Sequence, residues 1–121
     1  MGIRNWLRQA LKEDRADRYA IPDLVAHFWD GGAPKAHPVK NISETGAYLC
    51  VNERLYEGTL IDVALRRASE SASESALSVQ CKVVRHGPDG IGVTFLLHTQ
   101  LERRALKQFM KRTIESATGT R

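Results

Sequence analysis

Leu77-Ser78-Val79-Gln80-Cys81-Lys82-Val83 alternates apolar and polar residues without a break, the period of two that marks a strand with one buried face. The same rhythm recurs on both sides of it. Upstream, Thr59, Ile61, Val63 and Leu65 alternate with Leu60, Asp62 and Ala64. Downstream, Ile91, Val93, Phe95 and Leu97 follow the turn residues His86-Gly87-Pro88-Asp89-Gly90. Nearer the N-terminus, Val39 and Ile42 mark one short strand and Ala47 to Val51 another, broken at Ser43-Glu44-Thr45-Gly46. Leu24 to Trp29 is an apolar run after Pro22, ended by Asp30-Gly31-Gly32. Six strands with short turns and no helical segment between them predict a mainly β chain, folded as an antiparallel barrel or sandwich and not as a parallel sheet.

The two ends read differently. Ile3, Trp6, Leu7, Ala10 and Leu11 share one face of a 3.6-residue period, with Arg4, Arg8 and Lys12 on another, which predicts an amphipathic helix over 1–13. That helix should cover an apolar surface of the domain or of a partner. Leu106, Phe109, Met110, Ile114 and Ala117 form a second stripe, which predicts a core-facing helix over about 99–117 within one domain of residues 14–121. A chain of 121 residues hides roughly two-thirds of its unfolded surface, so its core needs no metal or disulfide staple. The polar, Ser/Glu-rich stretch 68–75 reads as a long hairpin loop.

The net charge of +4 is unevenly placed: +2 over 1–18, −2 over 19–100 and +4 over 101–121. A slightly acidic body argues against a general polyanion groove. Phe28, Trp29, Tyr48 and Phe95 do not fall in one basic stretch, which argues against a nucleic-acid polymer as ligand. The C-terminal excess reads as a solvated helix face. No run approaches the roughly 18 apolar residues of a membrane span. Met-Gly-Ile-Arg-Asn-Trp-Leu-Arg carries no long apolar run or small-residue cleavage site, so the expectation is a cytoplasmic protein with Cys50 and Cys81 as reduced, buried thiols.

Catalytic signatures are missing from the sequence. His27, His37, His86 and His98 lack metal-ligand spacing, and there is no Gly-x-Ser-x-Gly elbow. Gly87, Gly90 and Gly92 open a strand, not the helix that a dinucleotide loop needs. His27 reads as a hydrogen-bonded, partly buried residue. The expectation is a protein that is not an enzyme and holds no metal or cofactor.

One constellation is more specific. Asn41-Ile42-Ser43-Glu44-Thr45-Gly46 sits between two strands and runs directly into Ala47-Tyr48-Leu49. Asn41 offers an amide that donates and accepts, and Ser43 adds a hydroxyl two residues on, the spacing of one strand face. Gly46 would permit a positive φ or the close approach of a ligand. Taken alone, these are also the residues of an ordinary turn.

With its flanks, the motif resembles the PilZ domain, a small bacterial β-barrel whose family role is binding cyclic di-GMP. The family pattern is Arg-x-x-x-Arg before the first strand and (Asp/Asn)-x-Ser-x-x-Gly between the second and third. Asn41, Ser43 and Gly46 match the second motif, and Gly58 before Thr59-Leu60-Ile61, Val83-Val84-Arg85 and Gly90-Ile91-Gly92-Val93-Thr94-Phe95 match the flanks. The resemblance covers about residues 14–97 and implies a six-stranded antiparallel barrel, followed by a helix as in many members. Arg18 stands where the second arginine belongs. Asp14 stands at the first, and the nearest replacement is Arg15, three residues from Arg18.

What the resemblance implies is a cyclic di-GMP site made by Arg15, Arg18, Asn41, Ser43 and Gly46, with signalling through movement of the N-terminal segment. Arginine suits such a ligand, because its planar fork matches both a phosphate and the O6/N7 edge of guanine. The alternative is a PilZ-like adaptor that no longer binds the nucleotide and acts through an unidentified protein partner. The terminal helices leave a homodimer open under either reading.

Overall fold

The computed structural model describes residues 18–28, 35–52, 55–69 and 76–117. The helix expected over 1–13, Arg15, Trp29 and most of the Ser/Glu-rich stretch lie outside the described residues. Six strands follow in order: β1 (Leu24–Phe28), β2 (Lys35–Ile42), β3 (Gly46–Leu49), β4 (Leu60–Arg67), β5 (Leu77–His86) and β6 (Ile91–Leu96). They close into an antiparallel barrel in the order β1-β2-β3-β6-β5-β4. A helix, α1 (Gln100–Ala117), follows the last strand.

Alternation explains the closure. Ala26, Leu65, Cys81 and Val83 are each 0% exposed, and with Phe28, Val63, Val79, Ile91, Val93 and Phe95 they fill one interior. Leu106, Phe109 and Met110 of α1 belong to the same core, as their stripe predicts, whereas Ile114 is only partly buried. Thr113 completes the packed face, its hydroxyl donating to the carbonyls of Phe109 (2.8 Å) and Met110 (3.1 Å). Arg103, Arg104, Lys107 and Lys111 are exposed on the other face.

The helix starts at a capping box. Thr99 Oγ1 accepts from the Glu102 amide at 3.1 Å, and Glu102 Oε1 accepts from the Thr99 amide at 3.2 Å. Replacing Thr99 by Ala should lower stability by about 1 kcal/mol, read as a lower urea midpoint at unchanged m-value.

Before β1 the chain crosses onto β2. Tyr19 and Ile42 exchange both backbone hydrogen bonds, at 2.8 and 3.0 Å. Ile21-Pro22-Asp23-Leu24 then turns into β1, with Leu24 N donating to Ile21 O at 3.2 Å and Asp23 at φ 67°. Pro22 suits the first central position of such a turn, and Asp is among the few non-glycine residues that tolerate the second. Arg67 holds the turn, its Nε donating to Pro22 O at 3.2 Å and its Nη2 lying 3.6 Å from the Asp23 carboxylate.

Two sequence expectations need correction. Cys81 is buried, with its thiol pushed up to about 12 by desolvation, but Cys50 is only half-buried because β3 ends at Leu49. His27 is partly buried, yet its Nε2 has no hydrogen-bond partner among the described residues, and burial lowers its pKa.

Candidate ligand-binding site

The polar motif separates into two parts. Ser43 is 0% exposed, and its hydroxyl serves the turn itself. Oγ accepts from Thr45 N at 3.2 Å and Gly46 N at 3.3 Å and lies 3.1 Å from Thr45 Oγ1, while Ser43 N donates to Gly46 O at 2.8 Å. Asn41 is partly exposed, so the shared face expected for Asn41 and Ser43 does not form; β2 ends at Ile42, between them. Gly46 needs neither a positive φ nor a ligand to explain it. Among the described glycines only Gly58 has a positive φ, and a Cβ on Gly46 would sit 2.1 Å from the Val93 carbonyl oxygen. The glycine lets β3 press against the backbone of β6.

Asn41 faces outward because β2 carries a bulge. Val39 pairs with Leu49 and Asn41 with Tyr48, leaving Lys40 as the inserted residue. The insertion places Lys40 and Asn41 together on the outside and returns Ile42 to the core. A second bulge lies in β5, where Val83 pairs with Val93 and Arg85 with Gly92, leaving Val84 inserted and Arg85 outside. Between the bulges runs one cross-strand row: Asn41 pairs with Tyr48, Tyr48 with Gly92, and Gly92 with Arg85.

Charged side chains flank that row. Arg18 Nη1 donates to Asn41 Oδ1 at 3.1 Å. Lys40 Nζ lies 5.5 Å from the Tyr48 ring centroid and 3.9 Å from Asp89 Oδ2. The Tyr48 hydroxyl donates to Asp89 Oδ1 at 2.7 Å. That hydrogen bond, aided by the Lys40 charge, holds the Asp89 carboxyl below its usual range, while desolvation and the same bond raise the Tyr48 hydroxyl. Lys40, Asn41, Tyr48, Arg85, His86 and Asp89 line a shallow cleft of about 380 Å³.

The structure therefore brings Arg18 and Asn41 together, buries Ser43 and Gly46 in the turn beneath them, and adds Lys40, Tyr48, Arg85 and Asp89. The sequence did carry a signal for these additions. Apolar spacing slips from two to three between Val39 and Ile42, and the clean alternation of β5 stops at Val84. Among the described residues no group of His, Cys, Asp and Glu is arranged to hold a metal ion. No helix of the described residues is long and apolar enough to cross a membrane.

A closed six-stranded barrel, an entry segment bridged to β2 and a helix after the last strand define a barrel module with an outward-facing polar row. The PilZ domain family matches residues 14–112, and the chain belongs to that family. No curated protein matches the sequence.

Solved structures share the fold at low identity. The complex of K. pneumonia MrkH with c-di-GMP aligns with a TM-score of 0.65 at 15% identity, covering 88% of this chain and 55% of that one. An uncharacterized Legionella protein aligns at 0.57 and 15%, covering 83% of this chain and 96% of the other. The PilZ domain of CeSA from a cellulose synthesizing bacterium aligns at 0.54 and 15%, covering 86% and 97%.

Proposed function

We propose that the protein is a cytoplasmic receptor for cyclic di-GMP, and not an enzyme, with the ligand held between the segment carrying Arg15 and Arg18 and the outer face of β2 at Asn41. The observation that carries this reading is the 3.1 Å contact between Arg18 and Asn41, which joins the two halves of the family motif. Arg18 uses one of its five donors there, and with no further side-chain partner among the described residues its remaining fork would meet a phosphate or a guanine edge. The Asn41 amide nitrogen adds an uncharged donor. Ser43 and Gly46 contribute by holding the turn that positions Asn41.

In the described residues, two backbone hydrogen bonds at Tyr19 tie the entry segment to β2. A ligand bridging Arg18 and Asn41 would fix that segment against the barrel and reposition the residues before it, presenting them to a protein partner. Isothermal titration of the full chain tests this. Arg18→Ala should weaken cyclic di-GMP binding by about ten- to a hundredfold, the size of one charge-assisted hydrogen bond. Absence of heat at high micromolar ligand with folded wild-type protein overturns the proposal. Asp14 at the first motif position favours the second reading, a ligand-free adaptor. That reading predicts the same flat titration together with a homodimer or stable complex in light scattering.

A further inference from the structure

We infer that Lys40 and Arg85 form a second anion subsite for the same ligand, which takes its other phosphate, and that Asp89 is the internal anion displaced from it. This rests on the cyclic-dinucleotide reading above and extends it across the barrel surface. The row from Asn41 to Arg85 crosses three strand spacings, about 14 Å along the sheet. The Arg85 side chain spans part of it by lying over Gly92, where a Cβ would approach its Nε to 2.7 Å. The subsite is therefore continuous with the Arg18–Asn41 contact, and Asn41, Lys40 and Arg85 line one cleft.

The donors in the cleft are those a phosphate needs. Lys40 supplies a compact ammonium, Tyr48 a neutral hydroxyl and Arg85 a planar fork. The Arg85 guanidinium makes no hydrogen bond or ion pair with another described residue. Lys40 and Tyr48 converge instead on the Asp89 carboxylate, at 3.9 and 2.7 Å. Asp89 thus occupies the place of a ligand oxygen, on a turn closed by Gly87 N donating to Gly90 O at 2.9 Å. Arg85 is outward because of the β5 bulge, and Lys40 is itself the residue inserted in β2, so each strand departs from regular pairing at the point where it contributes a cation. The subsite would also supply cationic contacts in a chain that carries Asp14 at the first motif position.

Titration of the full chain with cyclic di-GMP tests the inference, with thermal midpoints measured on every variant. Arg85→Gln and Lys40→Met should each weaken binding about tenfold, and Arg85→Lys should recover most of the Arg85→Gln loss. Asp89→Asn keeps an acceptor for Tyr48 but removes the competing charge, so binding should tighten about two- to fivefold. If Arg18→Ala abolishes binding while Arg85→Gln and Lys40→Met stay within twofold of wild type, the subsite is overturned and the Arg18–Asn41 reading stands. Weaker binding by Asp89→Asn overturns the displacement of Asp89. A wild-type chain that binds no cyclic di-GMP overturns both proposals.

Discussion

Gly46→Ala should destabilise the barrel by about 3 kcal/mol or more, a fall in Tm of roughly 10 °C. The new Cβ would lie 2.1 Å from the Val93 carbonyl oxygen and 3.2 Å from Thr94 Cα, so the clash is with backbone and no rotamer relieves it. β3 cannot step back, because β2 pairs with its other edge and the barrel is closed. Any retreat also strains the Ser43 turn, whose hydroxyl and amide both bond to Gly46. Thermal melting and urea titration check this. A variant melting within a degree or two of wild type would show that β3 and β6 separate cheaply. Cyclic di-GMP binding should fall along with stability, since Asn41 is anchored by the same turn.

Ile42→Ala should cost about 2–5 kcal/mol, a large share of the roughly 5–15 kcal/mol that holds a domain of this size together. Ile42 is 0% exposed and packs in the shared core, and a closed barrel collapses poorly around a lost side chain. Ile42→Val should cost only about 0.5–1.5 kcal/mol. The contrast with Gly46 lies in function. The Ile42 backbone still pairs with Tyr19 in the variant, so Arg18 stays opposite Asn41. At temperatures where Ile42→Ala remains folded, its cyclic di-GMP affinity should stay within a fewfold of wild type. A large affinity loss in fully folded Ile42→Ala would show that the core side chain, and not the backbone bridge, sets the site.

The strands were legible in the sequence because each buries one face, and period two survives wherever pairing is regular. Val79-Gln80-Cys81-Lys82-Val83 and Ile91 to Phe95 behave as their alternation predicts, and the apolar stripe of α1 meets the core at Leu106, Phe109 and Met110. Strand limits were less legible. β2 begins at Lys35, four residues before the first apolar marker of its expected strand, since the inward position of that stretch is His37, buried against Phe28 but not apolar.

The site was legible in composition and obscure in geometry. Asn41, Ser43 and Gly46 stood out as a motif, but their spacing did not reveal that Ser43 is buried or that Gly46 relieves a contact with β6. Lys40, Tyr48, Arg85 and Asp89 come from three separate parts of the chain and meet through strand order. Local sequence does not encode that order.

The two inserted residues also bear on how distant relatives should be compared with this chain. At 15% identity, an alignment is steered mostly by the in–out pattern of each strand. A relative lacking the residue equivalent to Lys40 would hold its Val39 and Ile42 counterparts at a different separation. An ungapped match would then place its core side chain against Asn41. Gaps of one residue at 40 and 84, set inside strands where gaps are usually discouraged, would keep interior with interior and exterior with exterior.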